Sequence, residues 1–163
     1  MSSSDRRTVL TLLAALPLAA CGFAPVYGPG GPGNALRGQI GFAPPDTRLG
    51  FVLVARLEER LGRAGAATYD LSWDLETSQR DLAVTGTNTI TRVNLTGTLR
   101  FRVTETATDV QVQAGSVSTF TAYSTTGSPV ATAAARRDAE DRLMVALADQ
   151  LVSRLLAGAA NWA

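Results

Sequence analysis

Residues 92–103 alternate without a break. Val93, Leu95, Gly97, Leu99, Phe101 and Val103 take one phase, and Arg92, Asn94, Thr96, Thr98, Arg100 and Arg102 take the other. A period of two is the mark of a β-strand with one buried face. Tyr69, Leu71, Trp73 and Leu75 alternate in the same way with Asp70, Ser72, Asp74 and Glu76. That pattern weakens near Ser78 and returns at Leu82 and Val84. Residues 85–88, Thr-Gly-Thr-Asn, then predict a turn. Residues 106–109 predict a second turn, and Val110 and Val112 open a strand that runs to about Tyr123. Its apolar phase slips after Ala114-Gly115, which places a bulge there. A short strand is expected over residues 37–42, with Ile40 and Phe42 on one face and Pro44-Pro45 ending it.

Two stretches change to helical spacing. Leu49, Val52, Leu53, Leu57, Leu61 and Ala64 form one stripe, with Asp46 or Thr47 as the cap and Gly65 as the stop. Leu143, Leu147, Leu151 and Leu155 recur every four residues, widened by Met144, Ala148 and Val152. Ser128-Pro129 starts this last helix, since Ser caps and Pro fits the first helical position. It should run to about Ala157, with Gly158 ending it and Trp162 beyond. The order β-α-β-β-β-α predicts an α/β fold of the α+β type. It is a two-layer sandwich of about four strands, with two helices on one face.

The first residues follow a different logic. Arg6 and Arg7 precede an apolar run from Leu10 to Ala19, which ends in Leu18-Ala19-Ala20-Cys21. Basic, apolar and small-residue regions in that order make a secretory signal, and a Cys directly after them makes a bacterial lipobox. Cleavage is expected between Ala20 and Cys21. The Cys21 thiol would carry a diacylglycerol, and the new amino group would be acylated, with palmitate as an expected chain. The apolar run is too short to span a bilayer, which takes about 20 residues. Arg6-Arg7 also resembles a twin-arginine export signal, although Asp5 and Val9 fit the general secretion route better. Gly and Pro dominate residues 22–34, so this stretch reads as a tether reaching up to about 45 Å at roughly 3.5 Å per residue. The expected division is a signal peptide over 1–20, a lipidated tether over 21–35 and a folded domain over 36–163.

Composition removes several function classes. Removing residues 1–20 takes away two Arg and one Asp, leaving thirteen charges of each sign. Zero net charge does not suit a nucleic-acid-binding domain. The chain has no His and a single Cys, so triads, Cys-His pairs and His-ligated metals are excluded. The carboxylate pairs Glu58/Glu59 and Asp138/Asp141 read as solvated helix faces. No enzymatic activity, cofactor or metal is expected. Asn94-Leu95-Thr96 matches a glycosylation acceptor, but its place on a strand in a bacterial lipoprotein makes it coincidence.

Four segments together resemble the LptE family of lipopolysaccharide-assembly lipoproteins, in its alphaproteobacterial form. They are the lipobox run over residues 18–28, the long strand over 91–103, residues 115–123, and Ser128-Pro-Val-Ala with the helix start over 136–143. The resemblance implies a two-layer α/β sandwich held by lipid on the periplasmic side of the outer membrane. It implies a place in the lumen of the LptD β-barrel translocon, assisting barrel assembly and lipopolysaccharide delivery. Gly22, after the lipidated Cys, is compatible with that destination. An auxiliary lipid-binding lipoprotein of an ABC-type lipid-transport system is the rival reading, and a periplasmic hydrolase a poorer third.

Arg92, Arg100 and Arg102 share one face of the predicted long strand. Guanidinium forks suit phosphate, so these three are the candidate contacts to lipopolysaccharide or barrel. A simpler reading is also open: polar residues are ordinary on the solvated face of a half-buried sheet.

Overall fold

The computed structural model describes residues 28–84 and 90–163. The signal peptide, Cys21 and the turn over 85–88 lie outside the described residues. The elements are α1 (Pro32–Leu36), β1 (Ile40–Phe42), α2 (Arg48–Leu61), β2 (Tyr69–Val84), β3 (Ile90–Glu105), β4 (Gln111–Ser124) and α3 (Pro129–Ala159). The four strands lie in chain order, with β1 parallel to β2 and the other pairs antiparallel. The fold is the two-layer α+β sandwich that the hydrophobic pattern calls for, with the helices on one face.

The alternation in β3 explains the layering. Val93, Leu95, Leu99, Phe101 and Val103 are buried, and Leu99 is fully so. Leu95, Leu99, Phe101 and Val103 share a core with the α3 stripe of Leu143, Leu147, Leu151 and Leu155 and with Leu53, Leu57 and Leu61 of α2, while Val93 packs separately with Tyr123 and Ala139. Gly97 lies under α3; a Cβ there would lie 2.9 Å from Leu147 Cδ1 and 3.1 Å from Leu143 Cδ2. Trp73 packs over Gly50 of α2, where a Cβ would come within 2.8 Å of its ring.

The caps account for the helix starts. Thr47 Oγ1 accepts from Gly50 N at 3.1 Å, and Ser128 Oγ accepts from Ala131 N at 3.3 Å. The stops differ from expectation. Helix α2 ends at Gly62, with φ of +79°, rather than at Gly65. Helix α3 passes Gly158 by one residue. Gly158 is needed for a close approach instead, since a Cβ would come within 2.7 Å of the Gln113 carboxamide carbon. The C-terminus packs back: the Trp162 ring meets Tyr69 edge-on at 4.8 Å, and its indole N–H donates to Gln113 Oε1 at 2.9 Å.

Three further differences concern the strands and the tether. The bulge expected at Ala114-Gly115 falls at Val112, because Val103 pairs with Gln113 and Thr104 with Gln111. Ala114 and Gly115 pair regularly with Arg102 and Phe101. Strand β2 runs through Ser78 unbroken, although Thr77, Gln79 and Asp81 stay exposed. No described helix extends over that part of the sheet to bury them. Residues 32–34 of the Gly/Pro-rich stretch belong to the single helical turn α1, which Pro32 can start because its missing N–H has no helical acceptor there. Leu36 in that turn is fully buried against the core.

Candidate functional site

The helices leave the other face of the sheet uncovered. Strand β3 contributes Arg92, Asn94, Thr96, Thr98, Arg100, Arg102 and Thr104 to it. Register then places Asp70, Ser72, Asp74, Glu76, Ser78 and Arg80 of β2 on one side. Ala114, Ser116, Ser118, Phe120, Ala122 and Ser124 of β4 lie on the other. Short hydroxyl side chains tie the middle together. Thr98 Oγ1 and Ser118 Oγ are 3.1 Å apart, and Ser118 Oγ donates to Gly97 O at 3.0 Å.

Charge divides this face into two halves. Near the β1 end, Arg100 lies 3.3 Å from Glu76 Oε2 and 3.6 Å from Asp74 Oδ2. Arg102 stands beside it, opposite Ser72 and Ala114. Arg92 is not part of this group. Eight residues at about 3.4 Å each put it roughly 27 Å along the strand. Its neighbour is Arg80, which pairs across with Asn94, two positions from Arg92 on the same face. This second half carries Arg80 and Arg92 with no carboxylate among its described residues. Arg80 escaped the sequence reading because the apolar alternation fades at Ser78. Carrying period two past that point would have placed it on the open face.

The opposite layer holds its charges in pairs. Arg56 forms a two-pronged contact with Asp149, both bonds at 3.0 Å, and Arg60 reaches the same carboxylate at 2.6 Å. Arg48 donates to Asp141 and Glu140, and hydrogen bonds to those carboxylates raise its pKa. Arg56 is raised likewise, by Asp149 and then Glu59. These groups clasp α2 to α3. The described residues contain no cluster of ligands able to hold a metal ion. No described helix is long and apolar enough to cross a membrane.

This architecture recurs in a class of bacterial lipoproteins. It matches a candidate lipoprotein from Caulobacter crescentus CB15 with a TM-score of 0.66 at 21% identity, covering 80% of this chain and 97% of that one. Rare lipoprotein B from Shewanella oneidensis follows at a TM-score of 0.60 and 12% identity, covering 76% and 96%. Lipoprotein B from Nitrosomonas europaea gives 0.56 at 10% identity, covering 74% and 82%. A comparison with curated proteins finds no match. The chain belongs to the LptE family, described as lipopolysaccharide-assembly, which matches residues 38–155. Its role therefore lies in lipopolysaccharide assembly, within a family that is not enzymatic.

Proposed function

We propose that this protein is a non-enzymatic lipoprotein of the outer membrane, anchored through Cys21 on the periplasmic side. In this reading it associates with an LptD-like β-barrel, assists its assembly and helps deliver lipopolysaccharide to the cell surface. One observation carries the reading: an LptE-family match over 118 residues falls on a sandwich with one sheet face that no described helix covers. That face is rich in Thr, Ser and Arg, which suits a wet barrel lumen better than a dry protein core. Arg92, Arg100 and Arg102 are the proposed contacts to lipopolysaccharide phosphate or to the barrel wall, and Arg80 joins Arg92.

Depletion of the protein tests the role. The expected result is loss of mature barrel from the outer membrane, together with loss of lipopolysaccharide from the cell surface. Normal surface lipopolysaccharide with accumulated phospholipid defects would favour an auxiliary lipoprotein of an ABC-type lipid transporter instead.

A further inference from the structure

A cleft opens where β1 ends. Ala43 N–H still reaches Leu71 O at 3.0 Å, and from there the chain leaves the sheet for α2. Beyond that point no described strand covers the edge of β2. The space between this edge and the start of α2 is about 470 Å³, within the range of roughly 300–1,000 Å³ usual for small-ligand sites. Thr77 lines it, and Gln79 and Asp81 follow on the same face of β2, exposed.

The lining combines three kinds of group. Trp73, Leu75, Leu49 and Pro44 give apolar walls. Asp46 and Asp74 bring carboxylates, which only accept hydrogen bonds. Thr47 Oγ1 already accepts from Gly50 N, so its own O–H is left to donate. The Trp73 indole N–H is buried and has no acceptor among the described residues. A buried donor left unmet is costly, so an oxygen supplied by a ligand gains there.

Together these groups define what fits. The carboxylates call for donors and the indole calls for an acceptor, beside apolar surface. A Lys or Arg head offers donors alone. Among the described residues no Arg lines the cleft to meet a phosphate. A sugar ring carries hydroxyls that both donate and accept, set around carbon faces that pack on apolar walls. We propose that this cleft binds an uncharged saccharide, with one hydroxyl donating to Asp46 and another oxygen accepting from the Trp73 indole N–H. Further sugar units run along β2 over Thr77 and Gln79. Seven residues at about 3.3 Å each put Arg80 roughly 23 Å from Trp73, so the cleft is separate from the cationic half of the open face. The inference goes beyond the function proposed above and does not depend on the barrel partnership.

The test uses the full-length mature lipoprotein, isotope-labelled for NMR, in a detergent without a sugar headgroup. The two Trp give two indole N–H signals, and Trp73→Phe assigns them. The probes are a neutral outer-core oligosaccharide released from lipopolysaccharide, an N-acetylglucosamine trimer, a Lys-rich peptide and inorganic phosphate. The expected result is a saturable shift of the Trp73 signal with at least one glycan, while the Trp162 signal stays in place. Whichever glycan acts identifies the source as lipopolysaccharide or the cell wall. Asp46→Ala should weaken that binding by about tenfold, the usual loss for a hydrogen bond to a charged group. Asp46 is exposed, so this variant keeps the fold, and thermal unfolding checks it. Arg80→Ala with Arg92→Ala should leave the shift unchanged. The absence of a shift with either glycan up to millimolar concentration overturns the proposal, as does undiminished binding in Asp46→Ala. A stronger response to phosphate or to the Lys-rich peptide than to either glycan also overturns it, and gives the cleft to an anion or to a basic segment.

Discussion

Gly97 decides how near α3 can come to the sheet. Its missing side chain leaves room for Leu143 and Leu147, whose branches would otherwise be met by a Cβ at about van der Waals overlap. Gly97→Val should cost about 1–3 kcal/mol, the usual range for overpacking a core, read as a lower denaturation midpoint. The phase of β3 gives a sharper contrast. Leu99 and Leu147 are fully buried, so Leu99→Asp or Leu147→Asp should destabilise the fold by more than about 3 kcal/mol. Thr98→Asp, one residue along on the open face, should cost about 1 kcal/mol or less in the free protein. Its one polar tie there is the contact to Ser118. A severe Thr98 variant beside a mild Leu99 variant would mean that the strand faces the other way.

At the scale of elements, α2 and α3 are joined by more than apolar contact. Asp149 receives Arg56 in a fork and Arg60 beside it, while Arg48 holds Glu140 and Asp141. Asp149→Ala would leave Arg56 and Arg60 without this carboxylate. It should lower stability by about 1–2 kcal/mol, with the loss shrinking in high salt because the groups are partly exposed. Equal loss at low and high salt would mean that packing, not charge, is what Asp149 supplies. The elements legible in the sequence are those whose periodicity was set by burial on one side. Strand β3 and the α3 stripe are the clearest cases, and Ser128-Pro129 and Thr47 marked their helix starts by local hydrogen bonding. Elements governed by tertiary contacts were harder to read. Positive φ at Gly62 stops α2 before Gly65, and α1 depends on burial of Leu36. The distal half of β2 shows little apolar signal because no helix covers Thr77, Gln79 or Asp81. The bulge falls at Val112 and not at Ala114-Gly115, because those small residues keep regular register with Arg102 and Phe101.

At the scale of the whole molecule, the described residues present one sheet face covered by helices and one bare of them, and the candidate site is on the bare one. Sequence placed Arg92, Arg100 and Arg102 on that face, but strand register alone separates Arg92 from the other two and joins it to Arg80. It also sets Asp74 and Glu76 beside Arg100. The two halves should therefore respond differently. Arg80→Ala with Arg92→Ala should weaken binding to lipopolysaccharide and lower its salt sensitivity, because these cations face no carboxylate among the described residues of their half. Arg100→Ala should change binding less, since Glu76 and Asp74 already meet that charge. Equal effects from both halves, measured on purified lipopolysaccharide at two salt concentrations, would contradict the division.

Anchorage acts at the same scale. Cys21→Ala should shift the protein from the membrane to the soluble fraction, since each buried CH₂ of an acyl chain contributes about 0.8 kcal/mol to membrane binding. An intact mass that shows Cys21 unmodified in the wild type would remove that account of attachment.

The most direct measurement is capture of the tagged, full-length protein from mildly solubilised outer membranes. The account predicts that an LptD-sized β-barrel co-elutes in about equal amount and remains bound through washes that remove bulk porins. Elution without a barrel, or with the components of an inner-membrane lipid transporter in its place, would contradict it.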